Sequence, residues 1–217
     1  EIRFSSKYPE TAENMRGVIR GRLLSIVQGS MNDVLNTTNN ISIEEMFSAS
    51  SVVELDDFAE TNKTFVSGLL ALKAYEYSRN SDYGNATKRL LVIEEAHNIV
   101  PNTEQKRVSS NIAMCSNHFT SMLAEVAAYG TGLVIIDQRP TAVSPAVVAN
   151  TGIKIIHNLQ AGEDKTAVGA SLGLTETEVN MISDLKVGQA IVKIPDSPEK
   201  CRVNINRNLI DANVVNW

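Results

Sequence analysis

Apolar positions from Pro9 to Gln28 recur at three- and four-residue spacings, so that Met15, Val18, Ile19, Leu23, Ile26 and Val27 share one face. That rhythm predicts an amphipathic helix, with Gly29 as its stop. Arg16, Arg20 and Arg22 fall on the other face, as a solvated basic surface or, alternatively, a DNA contact. Residues 32–40 are polar and read as a loop. Ser42 and Glu45 form a capping-box pair for a short helix through Phe47. Val52-Val53-Glu54-Leu55 reads as a short strand. Thr64 to Arg79 reads as a long helix with Phe65, Leu69, Leu72 and Tyr75 on its buried side.

The rhythm then changes. Leu90-Leu91-Val92-Ile93 is a continuous apolar run ending at Glu94-Glu95, the pattern of a strand buried on both faces of a parallel sheet. Residues 98–109 contain Pro101 and read as a mobile loop. Residues 110–129 read as a helix ending at Gly130. Gly132 to Asp137, with its run Leu133-Val134-Ile135-Ile136, reads as a second apolar strand that stops at Gln138-Arg139-Pro140, where proline forbids further pairing. Ser144-Pro145 opens a short helix. Residues 154–159 read as a third strand, followed by two small helices, the second behind a Thr175–Glu178 capping box. Residues 188–194 and 202–205 read as paired edge strands. Such alternation predicts a three-layer α/β domain with a mostly parallel sheet.

Composition adds bounds. A chain of 217 residues fits one domain with a substantial core. Hydrophobic content of 43% and charged content of 21% are those of a soluble globular protein. A net charge of −5 argues against a surface coated in basic residues, though a local basic loop or a ring assembly still suits DNA. Cys115 and Cys201 match no metal-ligand spacing and are expected as buried free thiols in a reducing cytoplasm. Neither a signal peptide nor a bilayer-length apolar run is visible, so no membrane partner is expected. The start at Glu1 without methionine suggests an excised fragment or a processed chain.

Candidate chemistry sits at the strand ends, where parallel sheets hold ligands. Adjacent strand residues point to opposite faces, so Glu94 and Glu95 can divide labour. One carboxylate suits the water shell of Mg²⁺, and the other suits polarising a water for attack on a γ-phosphate. The plain alternative is a strand ending in solvated acids. About forty residues on, Gln138 offers a neutral amide that suits a phosphate oxygen or the attacking water.

Leu91 to Asn98 resembles the Walker B segment of the HerA/FtsK superfamily of hexameric DNA-pumping ATPases, with HerA-like proteins the nearest match. Three further stretches agree in order and spacing: Met122–Glu125 through Tyr129-Gly130, Ile136–Pro140, and Asn150-Thr151 with Lys154–His157. Leu185–Ala190 resembles the family's final hairpin. The likeness covers roughly residues 40 to 205. It implies a RecA-like P-loop core, with residues 1–40 a flanking helical region and 41–217 the C-terminal part of the ATPase domain.

The resemblance further implies ATP and Mg²⁺ as cofactors, Glu94 in the magnesium shell, Glu95 as the water-activating base and Gln138 as the γ-phosphate sensor. Arg139, beside Gln138, is a nucleotide-contact candidate or a local ion-pair partner. Lys106 and Arg107 are candidates for gripping DNA in a ring's pore or a solvated charge pair. His97 either relays between sites or makes a structural hydrogen bond at a helix start. The implied parent is a homo-hexameric double-stranded DNA translocase or helicase working with a nuclease or defence effector.

Three departures stand out. No Gly-x-x-x-x-Gly-Lys-Ser/Thr occurs, so the phosphate-cradling loop is absent from these residues and the piece alone is expected to be inactive. Ala127 and Asn158 stand where the family usually has arginine, which neither can replace in charge. They keep open a non-catalytic oligomerisation or partner-binding module. A conjugation or DNA-packaging pump shares the core motifs.

Overall fold

The computed structural model describes residues 9–38, 40–80, 89–103, 119–122, 124–195, 197 and 200–205. Lys106, Arg107, Cys115, His118 and the side chains of Arg22 and Ile26 lie outside the described residues. Two compact units form, Glu1–Ser81 and Asp82–Trp217.

The first unit is helical: α1 (Pro9–Ile26), α2 (Ser30–Leu35), α3 (Ile43–Ser48) and α4 (Glu60–Asn80). The capping box forms as expected, with Ser42 N–H donating to Glu45 Oε2 at 3.0 Å and Glu45 N–H to Ser42 Oγ at 3.1 Å. Several expectations fail here. The polar stretch after Gly29 contains α2, anchored by a fully buried Met31. Val52–Leu55 joins no ladder among the described residues; three apolar residues around Glu54 do not make a strand without a neighbour to pair with. The apolar face of α1 is exposed at Met15, Val18 and Leu23, since no layer covers it among the described residues. In α4 the inward residues are Val66, Ala71, Ala74 and Ser78, while Phe65 and Leu69 are exposed. Small side chains let a helix sit close to its neighbour; here Phe47 of α3 stacks on Tyr77 of α4 at 5.1 Å between ring centroids.

In the second unit β1 (Arg89–Glu94) and β2 (Thr131–Ile136) pair in parallel, from Arg89 opposite Thr131 to Glu94 opposite Ile136. Their inner face carries Leu91, Ile93, Leu133 and Ile135, packed with Ala96, Val100, Val143 and Val147. The other face is not buried: Leu90 is 62% exposed and Val92 51%, with Val134 and Ile136 also exposed. The sequence-predicted burial on both faces is therefore corrected to burial on one, because only one face has a covering layer among the described residues. Residues 119–122 and 124–125 are helical and run into a 3₁₀ turn at Val126–Tyr129. Gly130 ends that turn at φ 74°, a left-handed conformation that a side chain would strain, and delivers the chain to β2.

The third strand differs from expectation. β3 (Lys154–Ile156) is short and pairs antiparallel with β4 (Gln189–Lys193), which pairs antiparallel with β5 (Cys201–Asn204). Among the described residues the parallel sheet consists of β1 and β2, and the closing hairpin belongs to a separate three-stranded antiparallel sheet. Helices Gly162–Leu172 and Glu176–Met181 lie between β3 and β4 and return the chain in the reverse direction. These helices meet at Gly169, where a β-carbon would collide with Val179. The Thr175–Glu178 capping box forms. Cys201 is exposed on the edge strand rather than buried.

Candidate functional site

Both parallel strands end on polar residues at the same rim. Glu95, one residue past β1, sits at φ 50° and ψ 49°, the one non-glycine with positive φ among the described residues. Holding a residue there costs about 1–3 kcal/mol and persists where surrounding contacts fix it. The left-handed step turns the chain directly into a 3₁₀ turn at Ala96–Asn98.

Those contacts come from the end of β2. The backbone N–H of His97 donates to Asp137 Oδ2 at 2.9 Å, and His97 Nδ1 lies 2.9 Å from the same oxygen. Arg139 N–H donates to Asp137 Oδ1 at 2.8 Å. The Asp137 side chain is only 5% exposed, so burial makes each of these donors necessary. Gln138 Nε2 donates to Glu95 Oε1 at 3.3 Å, and Glu95 Oε2 lies 3.4 Å from His97 Nδ1. Glu95 itself is 48% exposed. An open carboxylate thus stands between an amide and an imidazole that the fold holds from below.

The loops beneath the rim are laced together. Asn102 N–H donates to Ala142 O at 2.7 Å and its side chain to Thr141 O at 2.9 Å. Ser144 N–H donates to Val100 O at 2.8 Å, and Pro101 bridges to Val143. Asp164, buried near the start of helix Gly162–Leu172, accepts from Thr141 N–H and Oγ1 at 3.0 and 2.7 Å. Each link removes freedom from the segment that carries Gln138.

Among the residues singled out from sequence, Glu95 and Gln138 meet. Glu94 is exposed, on the strand face shared by Leu90 and Val92. Arg139 is exposed and reaches the cluster through its backbone. Asn158, standing where arginine is usual, donates from its side chain to Ser183 O and Leu185 O at 2.8 Å each. Ala127 is exposed in the 3₁₀ turn. Sequence reasoning gave Asp137 no role; an acid directly after four apolar strand residues was the available signal. The ligand atoms of Glu95, His97 and Asp137 lie within 4.8 Å of one another. Mg²⁺ takes oxygen ligands and keeps waters, so a set containing His97 suits it poorly, and Glu94 is not among the converging side chains.

No family model matches the chain. It is 32% identical over 114 residues to the probable DNA double-strand break repair helicase HerA of Methanocaldococcus jannaschii, covering 52% of this chain and 21% of that protein. It is 30% identical over 107 residues to the probable helicase MJ1565 of the same organism, covering 48% and 19% respectively. The chain spans about a fifth of the length of these curated relatives. Among solved structures it resembles B204, the DNA-packaging ATPase from Sulfolobus turreted icosahedral virus, at TM-score 0.52 and 18% identity, over 77% of this chain and 73% of that one. VirB4 of Thermoanaerobacter pseudethanolicus gives TM-score 0.52 and 15% identity, over 69% and 38%. The fold is that of a P-loop NTPase, and the sequence is weakly homologous to HerA-type helicases. Among the described residues no helix is long and apolar enough to cross a membrane.

Proposed function

We propose that this chain supplies the water-activating side of an ATP-hydrolysing site in a HerA/FtsK-type motor that moves double-stranded DNA. The phosphate-cradling side is contributed by sequence outside these 217 residues, completing a three-layer RecA-like domain. The observation that carries the reading is the 3.3 Å contact between Gln138 and Glu95, two polar side chains leaving adjacent parallel strands. Glu95 accepts the proton of the attacking water. Gln138, already beside that carboxylate, is placed to bond a γ-phosphate oxygen or the water. Glu94 holds Mg²⁺ through its water shell, and Arg139 contacts nucleotide. Bound there, Mg²⁺ would supply neutralisation of the charge that develops on the phosphates. The working form is a homo-hexameric ring, with a nuclease or effector as partner and Lys106 and Arg107 as DNA contacts.

The test is Glu95→Gln in the protein containing this chain together with its phosphate-binding loop. Turnover of ATP should fall about 100-fold or more while nucleotide binding persists. Unchanged turnover would remove the reading. A second reading, a non-catalytic assembly module, draws on Asn158, whose amide is committed to backbone carbonyls where an arginine would act in trans. Full biological activity of the Glu95→Gln protein would favour it.

A further inference from the structure

Glu95 is held in place by residues that have no part in the roles assigned above. Asp137 receives two donors from one residue, the backbone and ring N–H of His97, on a single oxygen. An imidazole whose Nδ1–H is committed to a buried carboxylate has its tautomer and ring plane fixed. The same Nδ1 edge faces Glu95 Oε2 at 3.4 Å. Glu95 meanwhile occupies a backbone conformation it would not adopt unaided.

We propose that Asp137 and His97 form a positioning pair that sets the Glu95 carboxylate for water activation. Asp137 anchors the imidazole and the 3₁₀ turn after β1, which sets the imidazole edge 3.4 Å from one oxygen of Glu95 while Gln138 donates to the other. Neither member of the pair touches substrate. Their effect therefore belongs in kcat rather than in the KM for ATP. This inference rests on the proposed role of Glu95 and deepens it.

The test compares Asp137→Asn, His97→Asn and His97→Gln with Glu95→Gln, all in the protein that carries the phosphate-binding loop. Asparagine sets its amide N–H where Nδ1 stood; glutamine sets it near Nε2. His97→Asn should keep kcat within about 3-fold, and His97→Gln and Asp137→Asn should lower it about 10- to 100-fold with KM within about 2-fold, the scale of a misplaced catalytic group. Equal kcat for the two His97 variants overturns the pair, as does a Asp137→Asn loss confined to KM. If Asp137→Asn does not fold, the two histidine variants still decide. Loss of turnover in Glu95→Gln with both histidine variants at full rate refutes the pair and leaves the proposed function standing. Full turnover in Glu95→Gln refutes both.

Discussion

The two sheets of the second unit use the same kinds of polar side chain for opposite ends. At the rim of β1 and β2, His97 faces the carboxylates of Asp137 and Glu95, and Gln138 reaches Glu95. Beside β3 and β4, His157 Nδ1 lies 3.1 Å from Gln189 O, and Asn158 donates to two backbone carbonyls. Lys154 Nζ donates to Thr151 O at 2.6 Å, and Lys200 Nζ to Gly173 O at 2.6 Å while also lying 3.5 Å from the Glu178 carboxylate. A side chain answered by a backbone carbonyl closes a loop. One answered by an exposed carboxylate leaves an acceptor at the surface where a ligand can meet it.

The largest effect that tests this contrast lies beneath the rim. Ile93→Ala should destabilise by about 2–5 kcal/mol in thermal or urea unfolding, since Ile93 is buried in the one-sided core. Val92→Ala, on the exposed face, should change stability by at most about 0.5 kcal/mol. Similar costs for both would mean that the outer face is covered in solution. Next, Gln138→Ala should cut ATP turnover about 100-fold in the complete protein while leaving the melting temperature nearly unchanged.

Asn158→Ala should do the reverse. Losing two bonds to carbonyls should cost about 1–3 kcal/mol with turnover preserved. A turnover defect there would erase the distinction between the two regions. The smallest effect concerns Glu178, whose carboxyl is held below the ordinary value of 4.5 chiefly by the Thr175 backbone N–H, then by the Thr175 hydroxyl. A depressed folded value means that its stabilisation is present above pH 4.5 and lost as pH falls below it. Glu178→Gln should flatten that acid limb in melting temperature measured against pH.

Much of the rim was legible because apolar runs ending abruptly on acids mark strand ends. That pattern put Glu94-Glu95 and Gln138 at strand ends, while the roles expected of them came from the resemblance to HerA-type ATPases. Asp137 was missed because burial is what turns an acid into an anchor, and burial depends on residues forty positions away. The helix faces of the first unit misled for another reason. Periodicity selects the largest apolar residues, such as Phe65 and Leu69, whereas packing in α4 selects Ala71 and Ala74. Strand direction was not legible at all in β3, since three residues pair with whichever neighbour the later chain provides.

The left-handed backbone at Glu95 carries a consequence for sequence drift. Glycine would relieve that conformation and raise resistance to unfolding by about 1 kcal/mol, yet abolish the carboxylate. Selection for durability alone would drive the position away from glutamate. A glutamate retained there in working homologues would then signal a demand that folding does not make.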